Sequence, residues 1–527
     1  MSTTGQTDAF SPRRVNLLMA AAMLLVGVAN VLWAERLTIN NGLGWDGLLY
    51  AEWTRDFYNT VFARGVSEYY TQRILPSAVV HYGMRLLRVP FTDRNIILGF
   101  DCYNLALLVL SAYVWGLVAD RMNLRPAAKW FGFCSLFLSF AVLKNNFYHS
   151  VLTDTTAFAL GVLTFYFFLA DRPAGMLLVI LLGGFSWPTV AVMSGLLFVF
   201  PYRKTFGGGG GGRDGAASDE TPAGDTKAAP PPYRLDVLLA AGVALFAVAA
   251  CLFLTTNDYP ARVYWLGRIL RVPDGRLLYV SIAALAAYLF FGLRHAAADR
   301  TLFDPRRLLA ALSWRRVIVF VAAYAFIKVA TRWLTSGGAG PWANLQQFGN
   351  YTFLSAVADP LIFFVAHAVW YGPAVILLAL LWKPFCESLG EFGAGVRIFV
   401  VLNFLLSINP QSRFMINTAP VLVMLLARLL DRRDLLPRAR DVIVWAALCL
   451  AGSKVWYTFN TAPQVDDGTL EALLSFPLQH YFANSGSWMT TRMYFIQGGA
   501  ALAAAVLLYV VSVRRAAGAV SGSSRRA

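Results

Sequence analysis

Long apolar segments separated by short, arginine-rich loops recur along almost the whole chain. Hydrophobic residues make up 57% of its 527 residues and charged residues only 14%, which leaves too little polar surface for a soluble protein of this length. A bilayer core about 30 Å thick needs roughly 17–25 apolar residues per helix, and several segments meet that length. The pattern therefore predicts an all-α, polytopic transmembrane helix bundle of about 12–14 spans.

The distribution of charge predicts how the chain is oriented. The net charge of +16 is carried largely by arginines in the short loops between spans, and such loops remain in the cytoplasm. This placement indicates contact with membrane lipids and not with nucleic acid. An abundance of alanine, glycine and arginine is typical of a bacterial inner membrane protein. We therefore expect a multi-pass inner membrane protein whose longer, more polar loops face the extracytoplasmic side.

One low-complexity stretch divides the chain into two modules. Residues 203–234 contain six consecutive glycines and three consecutive prolines, a composition that buries nothing and stays flexible. We interpret this stretch as a cytoplasmic linker. It separates an N-terminal transmembrane module (1–202), which includes the first outer loop (34–94), from a C-terminal transmembrane module (235–527).

The apolar stretch 175–200 needs a different arrangement from the other spans. Both of its flanks are predicted to be cytoplasmic, so it must enter and leave the membrane by one face. Gly183-Gly184 and Trp187-Pro188 supply a break, because proline interrupts the helical hydrogen bonds and glycine loosens them. The sequence predicts a pair of short helices here, and a miscounted span upstream is the alternative.

The first outer loop is predicted to contain interfacial amphipathic helices. Apolar residues recur every four positions in a first stretch and on one face of a second, where polar residues including Arg73 line the other face. Helices of this kind lie in the membrane interface with their apolar face toward lipid. The apolar positions are Trp45, Leu49, Trp53, Phe57 and Val61, then Leu75, Val79, Tyr82, Leu86 and Val89.

An acidic residue stands at the start of the first of these helices. Asp46 is flanked by Gly44 and Gly47 and is followed by Tyr50 and Glu52. Carboxylates held at a membrane surface suit chemistry on a substrate that is half in lipid and half in water. We interpret Asp46 as lying at the edge of a lipid-facing cavity; the alternative is that these helices are membrane anchors only.

The second outer loop concentrates polar groups in an apolar setting. Lys144, Tyr148, His149 and Asp154 lie within a dozen residues, and Asp154 stands where the next helix begins. One interpretation is that Thr153 or Asp154 only caps that helix. The other interpretation is that Asp154 faces Asp46 across a cleft.

Arginine on the outer side of the membrane is the third unusual feature. Arg413 lies in the turn Asn409–Phe414 between two apolar segments, against the local charge bias, so we expect an anionic partner. Guanidinium geometry matches phosphate well, and a lipid headgroup is the alternative partner. Two further charges, Asp101 and Lys328, fall in the outer halves of predicted spans, and an internal ion pair between them is the simplest prediction.

Three motifs together resemble the GT-C superfamily of integral-membrane glycosyltransferases, which use polyprenyl-phosphate sugars. The segment Trp45-Asp46-Gly47…Tyr50 with Gln72-Arg73-Ile74-Leu75-Pro76 is similar to the first outer loop of its mannosyltransferases. Thr153-Asp154 resembles the second acidic position of the superfamily. Ser412-Arg413-Phe414 followed by Ala419-Pro420 resembles a late-helix pattern, and the broken stretch 175–200 resembles its short paired helices.

The resemblance implies a reaction and a set of residues for it. A sugar would pass from a polyprenyl-phosphate donor to a glycan, lipid or protein acceptor at the extracytoplasmic face. Asp46 would act as general base or orient the acceptor hydroxyl, and Asp154 would bind the acceptor, or a divalent cation if the reaction uses one; the sequence indicates no other cofactor. Arg413, with Arg73 or Lys328, would stabilise the departing phosphate. The remaining candidate substrate-binding residues are Tyr50, Glu52, Tyr148 and His149.

Other functions remain open at this level. A lipid-linked substrate transporter or flippase would use the same scaffold without chemistry, and a polysaccharide polymerase or ligase also uses outer arginines. The sequence contains no P-loop, GxSxG, HExxH or dinucleotide-binding glycine pattern, so nucleotide-driven transport and soluble hydrolase chemistry find no support. If the largest cavity opens to the outer leaflet and both Asp46 and Arg413 line it, sugar transfer is favoured, whereas a cavity continuous to both faces would favour transport.

Overall fold

The computed structural model describes residues 12–202, 235–257, 275–336, 345–435, 438–460, 489 and 491–510. Within these ranges the regular secondary structure is helical, and the only β-type pairing is an isolated bridge between Val66 and Thr335. The all-α prediction is therefore confirmed. The predicted linker 203–234 lies outside the described residues.

Five helices in the described part of the chain are long and apolar enough to cross a membrane, which makes this a polytopic membrane-embedded bundle. Two bent pairs add up to two spans, Pro126–Phe137 with Phe140–Tyr148 and Pro373–Leu380 with Trp382–Phe392. The predicted number of 12–14 spans is reached only when shorter apolar helices are counted as well. The five long helices are α1 (Pro12–Trp33), α5 (Asp93–Arg121), α11 (Leu235–Thr256), α12 (Gly275–Ala296) and α14 (Trp314–Leu334).

The other helices are shorter and fill the space between the long ones. In the N-terminal half they are α2 (Asp46–Arg55), α3 (Glu68–Thr71), α4 (Ile74–Leu86), α6 (Pro126–Phe137), α7 (Asn146–Tyr148), α8 (Asp154–Leu169), α9 (Pro173–Gly184) and α10 (Pro188–Val199). In the C-terminal half they are α13 (Pro305–Ala311), α15 (Leu345–Ala356), α16 (Ile362–Tyr371), α17 (Pro373–Leu380), α18 (Trp382–Ser388), α19 (Ala394–Leu406), α20 (Ala419–Arg432), α21 (Ala439–Ser453) and α22 (Thr491–Leu508).

Helices α2 and α4 of the first outer loop pack against each other through both polar and apolar contacts. The Ser77 hydroxyl donates to the Tyr50 carbonyl over 3.2 Å, and His81 Nδ1 lies 2.7 Å from the Thr54 carbonyl. Part of the apolar surface of α4 points away from the protein, where Leu86 is exposed, as expected of an interfacial helix. The apolar stripe of the first stretch does not face lipid as expected, because Trp53, Phe57 and Val61 are buried in a hydrophobic cluster that includes residues of α4.

The stretch 175–200 forms two short helices, α9 and α10, which pack closely against each other. At the open end of this hairpin, the Ser313 amide donates to the Val199 carbonyl. At its tip, the Leu75 amide of the first outer loop donates to the Phe185 carbonyl. The predicted pair of short helices is thus present, and its tip reaches the end of the bundle that holds the first outer loop.

Ion pairs join the loops at each end of the bundle. Arg125 pairs with Asp431, and Arg316 with Asp171, so loops that share a predicted cytoplasmic side do lie together. At the opposite end, Glu35 accepts from Lys144 over 2.9 Å and from the Phe459 amide over 2.7 Å. The same end carries the first and second outer loops.

The predicted ion pair between Asp101 and Lys328 is wrong. Asp101 is buried and pairs with Arg36 at 2.5 Å, and it also accepts a hydrogen bond from the Ser150 hydroxyl. Lys328 is exposed on α14, where its ammonium lies 6.0 Å from the ring of Tyr324. A lysine near the end of a membrane helix can reach the interface along its own stem, so it needs no carboxylate.

Candidate functional site

Two carboxylates and one guanidinium from three distant parts of the chain meet at one point. Arg413 donates from Nε to Oδ1 and from Nη2 to Oδ2 of Asp154, each over 2.8 Å. Its Nη1 lies 3.4 Å from Oδ2 of Asp46. Asp154 and Asp46 precede Arg413 by 259 and 367 positions, so the site lies between the two predicted modules.

Helix starts position both carboxylates. Asp154 is the first residue of α8 and Asp46 the first residue of α2, where the positive end of the helix dipole favours negative charge. The side chain of Thr153 makes no capping hydrogen bond, and the Asp154 oxygens bind Arg413 instead. The capping alternative for these two residues is therefore not what the structure contains.

The site is recessed, because its charged side chains are largely shielded from water, and the helices that reach it are short. Helix α8 has 16 residues and α10 has 12, which correspond to lengths of about 24 Å and 18 Å. Helix α5, which packs beside α8, has 29 residues and a length of about 43 Å. Only 2% of the Asp154 side chain is exposed, against 24% for Arg413 and 35% for Asp46.

Glycines bring the first and second outer loops into close contact. Gly44 has a φ of +72°, and a β-carbon there would overlap the ring of His149. A β-carbon on Gly47 would lie 2.8 Å from the Val151 carbonyl oxygen. The two glycines that flank Asp46 thus allow its helix to start directly against the second loop.

A second arginine lies behind the first carboxylate. Arg73 is 98% buried, and it donates from Nη1 to the Tyr50 hydroxyl over 3.3 Å and from Nη2 to the Tyr69 hydroxyl over 2.7 Å. Its guanidinium carbon lies 4.4 Å from the ring centroid of Trp187, and that of Arg413 lies 6.0 Å from the same ring. Among the described residues, Arg73 has no carboxylate within ion-pair distance, and its Nε has no hydrogen-bond partner.

The local charges set the protonation states of the site. Burial disfavours the charged form of Asp46, but the guanidiniums of Arg413 and Arg73 outweigh it and hold the pKa of Asp46 below its ordinary value. Burial, together with the charge of Arg413, lowers the pKa of His149 to about 4. His149 is therefore neutral at neutral pH, with Nε2 3.1 Å from the Leu43 carbonyl oxygen. Burial also raises the pKa of the Tyr50 hydroxyl, which remains protonated.

Three predicted substrate-binding residues lie elsewhere. Glu52 points away from the site, with 53% of its side chain exposed and Arg64 at 3.7 Å. Tyr148 donates its hydroxyl to Asn460 in a neighbouring cluster. Lys328 is exposed on the outer surface of α14. The structure brings together Asp46, Asp154 and Arg413, with Tyr50, Arg73 and His149 around them, and the roles predicted for these residues stay predictions.

Trp187 is the site residue that sequence analysis did not identify. It lies at the tip between α9 and α10, is 1% exposed and contacts both guanidiniums. The sequence predicts only a helix break at the Trp187-Pro188 pair. The available signal was its place between Gly183-Gly184 and Pro188, at a break whose tip meets the first outer loop.

A large cavity begins beneath the short helix Ser412–Met415 that carries Arg413. On its wall, Tyr371 donates to the Ser412 carbonyl over 2.6 Å, and His367 Nδ1 lies 2.9 Å from the Ser412 hydroxyl. The cavity has a volume of about 590 Å³ and is lined mainly by apolar side chains of α12, α16, α17, α19 and α20. It reaches His295 and Lys383 at its far end.

The site does not match a divalent cation held by protein carboxylates. Both oxygens of Asp154 accept from Arg413, whose guanidinium occupies the space between the two aspartates. Among the described residues, His, Cys, Asp and Glu side chains form no group of three or more that could hold a metal ion. The alternative role of Asp154 as a cation ligand thus has no support from this donor set.

The fold and site define a class: a membrane-embedded, all-α protein with a recessed carboxylate–guanidinium cluster at one end of its bundle. No protein-family model, no curated protein and no solved structure matches this chain. The resemblance to GT-C glycosyltransferases therefore stays a prediction that depends on its short motifs.

Proposed function

We propose that this protein is a membrane glycosyltransferase that moves a sugar from a polyprenyl-phosphate donor to an acceptor at the extracytoplasmic face. The observation that carries this proposal is the meeting of Asp46, Asp154 and Arg413 within 3.4 Å at a recessed site. A carboxylate beside a guanidinium provides a base for an acceptor hydroxyl and a positive charge for a departing phosphate.

Each residue of the cluster has a distinct role in this mechanism. Asp46 takes the proton of the acceptor hydroxyl while that oxygen bonds to the anomeric carbon of the donor sugar. The bond from the anomeric carbon to phosphate breaks, and the phosphate leaves with its electron pair beside Arg413 and Arg73. Asp154 positions Arg413 through two 2.8 Å hydrogen bonds, and Trp187 supports both guanidiniums.

The nearby cavity supports a lipid-linked donor. A prenyl chain is apolar and long, and a cavity of about 590 Å³ with mostly apolar walls offers space for several prenyl units. Because its wall contacts Ser412, a chain bound there would bring its phosphate close to Arg413. A donor that is half in lipid would thus be held at both its ends.

A transporter of lipid-linked substrates is the second candidate function. The observation in its favour is that the same cavity extends from Ser407 and Met415 to His295 and Lys383 at the far end of its helices, while Asp46 and Arg413 are not part of its lining. A transporter would move the substrate between leaflets and leave its glycosidic bond intact.

Sugar transfer by purified full-length protein in nanodiscs tests the proposal. The assay supplies labelled prenyl-phosphate sugars with membrane extracts as acceptors and compares wild type with Asp46→Asn and Asp56→Asn. Loss of a positioned base is expected to lower the transfer rate about 10²–10⁴-fold in Asp46→Asn. Asp56→Asn is the matched control, because Asp56 is exposed and its carboxylate bonds only to the nearby Asn59 among the described residues.

The outcomes separate the two candidate functions. Near-wild-type transfer by Asp46→Asn would remove Asp46 from the mechanism. Movement of intact labelled donor across a vesicle membrane, without any product from wild-type protein, would favour the transporter.

A further inference from the structure

Resting on the proposed function, we infer that the phosphodiester of the donor displaces Asp46 from Arg413. In this structure the proposed base contacts the same guanidinium that must later bind the phosphate. Binding of the donor then frees Asp46 to act as base, while Asp154 keeps Arg413 in place. The site thus activates its base only when the donor is bound.

The contacts of Arg413 with its two carboxylates are unequal. Asp154 accepts two 2.8 Å hydrogen bonds and is 2% exposed, so this pair is geometrically matched and shielded from water. Asp46 makes a single 3.4 Å contact and is 35% exposed. Among the described residues it has no other side-chain hydrogen bond. An incoming anion therefore replaces Asp46 and not Asp154.

The charge of the site matches a phosphodiester. Without Asp46, the guanidiniums of Arg73 and Arg413 and the carboxylate of Asp154 leave one net positive charge, since His149 is neutral. A sugar phosphodiester carries one negative charge and balances it. Arg73 is 98% buried, and its Nε lacks a hydrogen-bond partner. A buried donor without a partner costs free energy, and a ligand that supplies an acceptor removes this cost.

The displacement of Asp46 from Arg413 accounts for the charge and the proton that the reaction must move. Asp46, once free of Arg413, accepts the proton of the acceptor hydroxyl as the new glycosidic bond forms. The bond between sugar and phosphate breaks, and the phosphate gains the second negative charge of a monoester beside the two arginines. Release of the lipid phosphate and loss of the proton from Asp46 return Asp46 to Arg413.

The test measures binding and needs no turnover. Full-length protein in phosphatidylcholine nanodiscs is titrated with a short-chain prenyl methyl phosphodiester, and the affinity is measured by thermophoresis. Asp46→Asn removes the competing carboxylate and is expected to tighten binding about three- to fivefold, the range of a partly exposed ion pair. Asp154→Asn is expected to weaken binding at least about tenfold, because Arg413 loses its matched partner.

Controls make the pattern specific to the exchange. Asp56→Asn removes an equal charge from the exposed C-terminal end of the same helix and is expected to leave the affinity within about twofold, because exposed charges interact weakly. Asp46→Ser gives a second neutral residue that a helix start tolerates. A merely structural role for Asp46 would weaken binding in both variants.

Each outcome decides a separate point. Unchanged or weaker binding in Asp46→Asn and Asp46→Ser overturns the exchange, even if wild-type protein transfers sugar. Tighter binding in both supports it, even if no transfer is found and the proposed function fails. If phosphatidylglycerol in the nanodisc competes with the prenyl phosphodiester, the site binds the phosphodiester of bulk lipid, and the donor is overturned as its ligand. If phosphatidylglycerol does not compete, the donor is supported.

Discussion

Removal of the Asp154–Arg413 pair tests whether this pair organises the site. Asp154 is 2% exposed and makes two 2.8 Å hydrogen bonds to Arg413. Removing one partner of a fully buried ion pair costs about 3–5 kcal/mol. Arg413 is 24% exposed and keeps Asp46 at 3.4 Å, so we expect a smaller loss for Asp154→Asn, about 2–3 kcal/mol in the free energy of unfolding.

A double-mutant cycle separates this pair from its surroundings. Asp154→Asn, Arg413→Gln and the double variant are unfolded by sodium dodecyl sulfate in mixed micelles, with helical circular dichroism as the signal. The expected coupling energy is about 2 kcal/mol, the upper range for contacting charged residues. A coupling below about 0.5 kcal/mol would refute the inference that Asp154 fixes Arg413.

An apolar replacement of the same pair distinguishes stability from function. Buried ion pairs are often replaced by apolar residues without loss of stability. We therefore expect the double variant Asp154→Leu with Arg413→Met to have a free energy of unfolding within about 1 kcal/mol of that of wild type. The same variant should no longer bind the phosphodiester. If that double variant kept its binding, the guanidinium would not be the anion site.

Two further predictions concern the contact between the outer loops. Gly44→Ala is expected to lower the free energy of unfolding by about 1–3 kcal/mol or more, because Gly44 has a φ of +72° and a β-carbon there would overlap His149. Gly83→Ala on α4 is the control. A β-carbon at Gly83 meets open space, so this variant should not lower the melting temperature. His149 has a folded-state pKa of about 4, below its unfolded value near 6.5. The unfolded chain therefore binds more protons between these values, and stability is complete above pH 6.5 and falls by up to about 3 kcal/mol toward pH 4. His149→Asn should show a smaller fall than wild type in melts across this range.

The sequence allowed several parts of this site to be predicted, because charge is rare in the apolar setting. Asp46, Asp154 and Arg413 stood out as polar groups at the outer ends of apolar segments, and all three meet. Their distances did not follow from the sequence, because contacts across 259 and 367 positions depend on how the short helices stack.

Side-chain direction explains the predictions that did not lead to the site. Glu52 is on the same short helix as Asp46 and Tyr50, but it falls on the exposed face of α2. Lys328 is in the outer half of α14 as predicted, but it faces outward, whereas Trp187 in a hairpin tip faces inward. In a membrane protein the exposed face is apolar as well, so hydrophobic periodicity does not tell inward from outward positions.

The use of short helices explains why a charged site can exist at this depth. Helix α8 is about 24 Å long, against about 43 Å for its neighbour α5, and its first residue, Asp154, is buried, so its first amide groups and its dipole point into a recess lined by protein. Charges in that recess are shielded from water, so each interacts more strongly with its partners than at the open surface. The same shielding makes an unmatched charge costly. In this recess the carboxylates of Asp46 and Asp154 balance the guanidiniums of Arg413 and Arg73. Under the proposed function, the contact between Asp46 and Arg413 keeps the base and the anion-binding group neutralised until a donor phosphodiester binds.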